Sequence, residues 1–202
     1  MRTSAIILTG GWSKRMGRPK ESLPLHGDTL LGRTAKTVCS CVEAAVVVAR
    51  DQNQQLPALP EGAVRLHDEV GGLGPLGGLT TGMRWLLDNG FGDDDVAFTT
   101  ACDQPFLTPE SVQWLVSQIG DHDLVMPRTG GVLQPMCAVY RLSVLPFAER
   151  LIGTGTVTPR TLAAAAGARI LEEEEVRRFD PSLRFLQNVN TPEDYRRALG
   201  GS

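Results

Sequence analysis

A chain of 202 residues, 42% hydrophobic and 21% charged, has an ordinary globular composition and enough length for one α/β domain with a substantial core. Its formal net charge of −3 argues against a general nucleic-acid surface, and a basic loop in so mildly acidic a chain suits a small anionic ligand better. Cys39, Cys41, Cys102 and Cys137 form no Cys-x-x-Cys pair, which argues against structural zinc and reads as reduced, partly buried thiols.

Met1-Arg2-Thr3-Ser4 holds no apolar signal core, and no apolar run reaches membrane-spanning length. The expectation is a cytoplasmic protein, one domain over residues 1–202, with no membrane partner. Ala5-Ile6-Ile7-Leu8 reads as a short buried strand. It empties into Thr9-Gly10-Gly11-Trp12-Ser13-Lys14-Arg15-Met16-Gly17-Arg18-Pro19-Lys20. Glycines let a backbone approach a ligand and aim N–H groups at phosphate oxygens, and Arg15 and Lys20 supply cationic charge. This loop is neither a Walker A sequence, since Gly11 and Gly17 are too far apart and Lys20 comes too late, nor a Gly-x-Gly-x-x-Gly fingerprint. An ordinary solvated loop is the structural alternative.

Farther on, Leu30, Leu31, Ala35 and Val38 recur at helical spacing over 29–41, and the apolar run 44–49 reads as a second parallel strand. Residues 50–61 are polar with two prolines and read as a loop or a poorly formed helix. A short strand over 64–66 delivers His67-Asp68-Glu69 to the sheet end, and the glycine-dense stretch 70–79 runs into a helix over 76–87. Asp93-Asp94-Asp95 resembles a metal cluster in composition, but its setting between glycines and a strand favours a solvated turn.

The strand 96–100 ends in Ala101-Cys102-Asp103-Gln104-Pro105-Phe106. A carboxylate at the carboxyl end of a parallel strand lies where open α/β sheets bind ligands, and Mg²⁺ takes one or two carboxylates with phosphate and water oxygens. Asp103 is therefore the candidate metal ligand, a turn-forming Asp being the alternative. Thr108-Pro109-Glu110 opens a helix to about 119. A strand over 123–126, a turn over 127–131 and a strand over 133–140 follow, then helices over 143–151 and 159–166. Arg160 reads as solvated charge, an anionic acceptor being the alternative, and the acidic run 172–175 reads as solvated charge. A closing strand ends at Asn190, and Thr191 caps a helix with Pro192 at its first position. Alternating strands and helices predict a three-layer α/β/α arrangement around a mostly parallel sheet.

The spacing Gly-Gly-x-x-x-Arg-Met-Gly-x-x-Lys after an N-terminal strand resembles the signature of the MobA-like nucleotidyltransferases, whose best-known members are molybdenum cofactor guanylyltransferases. Three further motifs appear in the family order: Asp68 with Gly74-Pro75-Leu76-Gly77-Gly78, then Cys102-Asp103-Gln104-Pro105-Phe106, then Asn188-Val189-Asn190-Thr191-Pro192-Glu193-Asp194. The resemblance implies the Rossmann-like nucleotidyltransferase (nucleotide-diphospho-sugar transferase) fold. It also implies transfer of GMP from GTP to molybdenum-bound molybdopterin, with Mg²⁺ as cofactor and release of pyrophosphate. Molybdoenzymes or their chaperones would receive the product.

By the same resemblance, Leu8, Thr9, Gly10, Gly11, Asp68, Gly74, Pro75 and Leu76 would line the nucleotide. Arg15 would stabilise leaving pyrophosphate, Lys20 would hold the α-phosphate, and Asp103 would hold the metal. Asn188 and Asn190 would stand beside the pterin, Asn190 assisting at the metal. The chain departs from the pattern at Ala49-Arg50, where guanylyltransferases commonly have Asn-Arg, and at Gln134-Pro135, where the family usually has His-Pro. The alternatives are a cytidylyltransferase of the same family, a transferase acting on a sugar phosphate or other small phosphate, and a non-catalytic nucleotide-binding protein.

Overall fold

Within the first strand, alternate residues pack on opposite faces of the sheet, and this arrangement organises the molecule. Ala5 and Ile7 join one buried cluster, and Ile6 joins the other. The computed structural model describes residues 1–10, 17–68, 73–155 and 158–200. In chain order its elements are β1 (Thr3–Leu8), β2 (Pro24–Leu25), β3 (Asp28–Thr29), α1 (Leu30–Cys39), β4 (Ala44–Ala49), β5 (Ala63–His67), α2 (Gly74–Asp88), β6 (Val96–Ala101), α3 (Pro109–Ser117), β7 (Leu124–Thr129), β8 (Val132–Leu133), β9 (Cys137–Arg141), α4 (Leu145–Gly153), α5 (Pro159–Ala165), β10 (Arg169–Leu171), α6 (Glu173–Phe179) and α7 (Pro192–Gly200).

The main sheet has the order β10-β7-β9-β6-β1-β4-β5, with β8 paired to β7. It is parallel except at β9, which runs against both β6 and β7, and at β8. The central strands read as continuous apolar runs because both faces are covered. Leu31, Ala35 and Val38 of α1 and Val112 and Leu115 of α3 pack on one side. Leu76, Leu79, Met83 and Leu86 of α2 pack on the other, with Ala148 of α4 and Leu162 of α5. This is the three-layer α/β/α Rossmann-like nucleotidyltransferase fold with a mixed, mostly parallel sheet. Ile6 and Ile7 are both 0% exposed, and each such side chain contributes about 1.5–3 kcal/mol by leaving water. Helix α2 lies close on β1 because Gly82 lacks a side chain: a methyl there would stand 2.8 Å from Ile6 Cγ2.

Local chemistry explains the helix starts. The Thr29 hydroxyl accepts from Gly32 N–H, and Thr108 and Ser111 form a reciprocal capping box. The expected strand 133–140 is instead two pieces. Gly130 and Gly131, both at positive φ, turn β7 back into β8; residues 134–136 then break the strand before β9. The expected strand ending at Asn190 is not one either. Leu183 in the left-handed region leads into a 3-10 turn at Arg184–Leu186, and Val189 donates its N–H to Asp103 O at 2.8 Å instead of to a ladder. The acidic run is more than solvated charge, since Glu172 and Glu175 form the capping box of α6.

Asp95 is not a solvated turn residue but 8% exposed, and it accepts from Arg2 N at 2.6 Å, Arg2 Nε at 3.0 Å and Gly92 N at 2.9 Å. Burial pushes its carboxyl up, yet these N–H groups and the Arg2 guanidinium outweigh burial and hold it below its ordinary range. A depressed folded value means that the stabilisation is present above the ordinary carboxylate range and is lost as pH falls through the folded value. Asp95→Ala should therefore lower stability by about 1–3 kcal/mol at neutral pH. Urea unfolding at stepwise lower pH should show the gap to wild type closing, and a gap independent of pH would contradict the assignment.

Candidate functional site

The carboxyl ends of β1, β4, β5 and β6 converge where the chain's connections diverge. From β1 the order steps through β4 to β5 on one side and to β6 on the other, the crevice where open α/β sheets hold ligands. A cavity of about 440 Å³ opens there, walled by Leu8, Gly10, Ala49, Arg50, Asp68, Gly74 and Pro75, with Val48, Gly78, Ala101 and Met136 completing it. Helix α2 begins at this wall with Leu73 at its N-cap, a side chain that cannot cap, and its first N–H groups and positive dipole end favour an anion. Two glycines let the helix come so near. A methyl at Gly77 would sit 3.0 Å from Asp68 Oδ2, and one at Gly78 would sit 3.0 Å from Leu8 Cδ2.

Beside the cavity three distant segments meet at one ammonium group. Lys20 Nζ donates to Asp103 Oδ2 at 2.9 Å and to Asn190 Oδ1 at 2.7 Å. The Lys20 and Asp103 side chains are each 15% exposed, so the pair is largely shielded from water. The other carboxylate oxygen, Asp103 Oδ1, is buried with no hydrogen-bond partner among the described residues, as is Asn188 Oδ1. A lone buried carboxylate oxygen is a hard donor of the kind Mg²⁺ takes. Among the described residues no group of three His, Cys, Asp or Glu gathers into a protein-only metal cage.

Each member has a support. Cys102 N–H donates to Leu8 O at 3.1 Å, carrying the β1–β6 pairing into the turn before Asp103. Gln104, 1% exposed, accepts from Thr100 Oγ1 at 2.6 Å and holds that turn from beneath. Asn190 is set by α7: Asp194 Oδ2 accepts from Asn190 N–H at 3.0 Å and from Thr191 N–H at 2.9 Å. Burial raises the Asp194 carboxyl, but the Thr191 hydroxyl, those two N–H groups and the Arg197 guanidinium outweigh it and hold the carboxyl low. Cys102, next to Asp103, is fully buried; burial pushes its thiol up, so it stays protonated and is no nucleophile at neutral pH.

Of the residues named from sequence, Leu8, Gly10, Asp68, Gly74 and Pro75 line the cavity, while Lys20, Asp103 and Asn190 form the adjoining cluster. Thr9 is buried and its hydroxyl donates to Val48 O at 3.1 Å. The Leu76 side chain is 0% exposed and belongs to the core rather than to the cavity wall. Gly11 and Arg15 lie outside the described residues. Gln134, at the departure from His-Pro, spends its amide on Thr129 Oγ1 at 3.0 Å and so braces the β7–β8 hairpin. Met136 on the cavity wall and Gln104 beneath the turn carry no signal in sequence beyond their adjacency to motif residues.

A model of the MobA-like NTP transferase domain matches residues 5–172. A molybdenum cofactor guanylyltransferase from Desulfosudis oleivorans is 32% identical over 197 residues, covering 96% of this chain and 93% of its own. Another, from Rhodobacter capsulatus, is 30% identical over 202 residues, covering 98% and 95%. The crystal structure of molybdopterin-guanine dinucleotide biosynthesis protein A from Archaeoglobus fulgidus superposes with a TM-score of 0.78 at 26% identity, covering 98% of this chain and 97% of that one.

Proposed function

Because this chain belongs to the MobA-like NTP transferase family, we propose that it transfers GMP from GTP to the terminal phosphate of molybdenum-bound molybdopterin, releasing pyrophosphate. The observation that carries the reading is Lys20 held between Asp103 and Asn190 at the edge of a nucleotide-sized cavity. The names of the similar proteins support guanine as the base and the pterin as acceptor.

An acceptor phosphate is already a nucleophile, so the chain needs no general base, and its work is positioning and charge stabilisation. Leu8, Gly10 and Gly11 would present backbone to the nucleotide, and Asp68 would contact the nucleoside; Thr9, expected to line the nucleotide, is 1% exposed with its N–H on Val48 O and its carbonyl on Gln54 Nε2, and so stands behind them. The start of α2 at Gly74 and Pro75 would add its dipole. Lys20 would meet the α-phosphate and Arg15 the leaving pyrophosphate. Asp103 Oδ1 suits Mg²⁺ as a single protein ligand, and Mg²⁺ would supply charge neutralisation across the phosphate oxygens. Asn188 and Asn190 would face the pterin side.

One observation favours a second reading. Val48 and Ala49 offer the cavity only apolar side chains, so the base is not read there by a side-chain hydrogen bond. A cytidylyltransferase acting on the same pterin fits that wall as well. Pyrophosphate release from GTP and from CTP, each with Mg²⁺ and molybdopterin, separates the readings. Release with GTP alone is expected; release with CTP alone would move the product to the cytosine dinucleotide. Release with neither, from folded protein that binds nucleotide, would overturn the acceptor or the catalytic reading.

A further inference from the structure

The loop over residues 50–61 holds a buried side chain that no motif includes. Gln54 is 5% exposed, and its carboxamide is saturated. Its Nε2 donates to Thr9 O at 3.1 Å and to Glu21 Oε1 at 2.7 Å, while its Oε1 accepts from Arg50 N–H at 2.7 Å. The partners fix the amide orientation: a carbonyl and a carboxylate only accept, and a backbone N–H only donates.

The three partners come from three different parts of the site. Thr9 is the last residue before Gly10 on the cavity wall, Glu21 sits in the 3-10 turn Lys20–Ser22, and Arg50 is on the cavity wall opposite Gly10. One side chain thus ties both ends of the glycine-rich basic loop to each other and to the wall. Thr9 and Glu21 are themselves 1% and 5% exposed, so water does not substitute for a lost bond. The loop 50–61 has further bonds of its own: Gln54 N–H donates to Asp51 O at 3.3 Å, and Arg65 Nη2 donates to Gln54 O at 2.7 Å. The carboxamide oxygen also closes the loop on Arg50 N–H, while the amide nitrogen is directed at the ends of the glycine-rich loop.

We propose that Gln54 is a positioning residue whose carboxamide clasps both ends of the glycine-rich basic loop and thereby sets Lys20 against the nucleotide-facing backbone of Gly10, which Thr9 carries. The inference rests on the nucleotidyltransferase reading and deepens it. Its two arms are separable. The bond to Thr9 O shapes the backbone that receives nucleotide and governs affinity. The bond to Glu21 holds the Lys20 turn and governs turnover.

The test compares wild type, Q54M and the exchange E21Q/Q54E. Methionine keeps the volume and removes every bond, so Q54M should weaken GTP binding by about tenfold and lower kcat by about tenfold. The exchange restores an amide–carboxylate bond between positions 21 and 54 and still accepts from Arg50 N–H, but it leaves Thr9 O without a donor. It should recover kcat and most of the melting temperature while GTP affinity stays about tenfold weak. A folded E21Q/Q54E or Q54M that matches wild type in both GTP affinity and kcat overturns the clasp, as does a loss tracking melting temperature alone. Wild type that binds neither GTP nor CTP overturns the nucleotidyltransferase reading and the clasp together, so the two failures are distinguishable.

Discussion

Pyrophosphate release by an Asp103→Ala protein is expected to fall about 10²–10³-fold, the size typical of removing one fixed charge-stabilising group from an active site. Two consequences of the geometry drive that number. The substitution deletes Oδ1, the buried oxygen with no partner among the described residues, and it deletes Oδ2, an acceptor that aims Lys20. The Lys20 ammonium would then keep its bond to Asn190 but lose the one to Asp103. Asp103→Asn separates the causes, because it keeps an acceptor for Lys20 but removes the anionic charge that a divalent cation prefers. If Asp103 acts as a metal ligand, both substitutions lose turnover and demand more Mg²⁺. If it acts only by orienting Lys20, the Asn variant stays within a few-fold of wild type. Turnover by Asp103→Ala in chelated, metal-free buffer would sink the metal assignment outright.

Lys20→Ala is expected to lower kcat/KM by a similar ~10²–10³-fold, and for a different reason. Here the charge that would meet the developing negative charge is gone, while Asp103 remains and repels the triphosphate. The loss should therefore appear in both kcat and nucleotide affinity. Removing one partner from a shielded ion pair is also costly to the fold, because the remaining carboxylate loses the Lys20 counter-charge at 15% exposure. Melting curves measured beside the kinetics keep that effect apart. Lys20→Arg keeps the charge, but its planar fork does not reproduce a compact ammonium shared by Asp103 and Asn190, so it should recover affinity better than kcat. Near wild-type kcat/KM in Lys20→Ala would remove the transition-state role.

Much of this architecture can be read in the residues themselves, for reasons that also mark the limit. β1, β4 and β6 are legible because strands buried on both faces become continuous apolar runs between turn residues. The starts of α1 and α3 are legible because Thr29 and Thr108 are capping residues in the literal sense. The edges are harder. β10 is three residues long, and α6 is launched by acidic residues that look like a solvated face until Glu172 and Glu175 are seen to cap it. The segment around Phe185–Asn190 looks like a strand because Val189 is apolar between polar neighbours. The Val189 N–H goes to Asp103 O instead, and periodicity carries no record of the partner. The site follows the same division. Lys20, Asp103 and Asn190 stand out by residue type and position, but their meeting at 2.7–2.9 Å is a product of the strand order. Gln54 leaves no trace in a polar loop, since one saturated amide among several glutamines looks like any other.

The span of the Lys20 bonds has a consequence for how the molecule is made. Lys20 lies 83 residues from Asp103 and 170 from Asn190. Helix α7, which sets Asn190, returns to the start of the chain as well: Tyr195 donates its hydroxyl to Pro24 O, and His26 pairs with Ala198 O at 3.0 Å. Such non-local closures come late, because the loop entropy must be met before the contacts repay it. On a ribosome the sheet through β6 can gather while residue 190 is still unmade, giving a nascent chain that has most of its cavity wall without its finished ammonium cluster. Birth order thus leaves the ammonium cluster to the last contacts made, the return of α7 to Pro24 and His26.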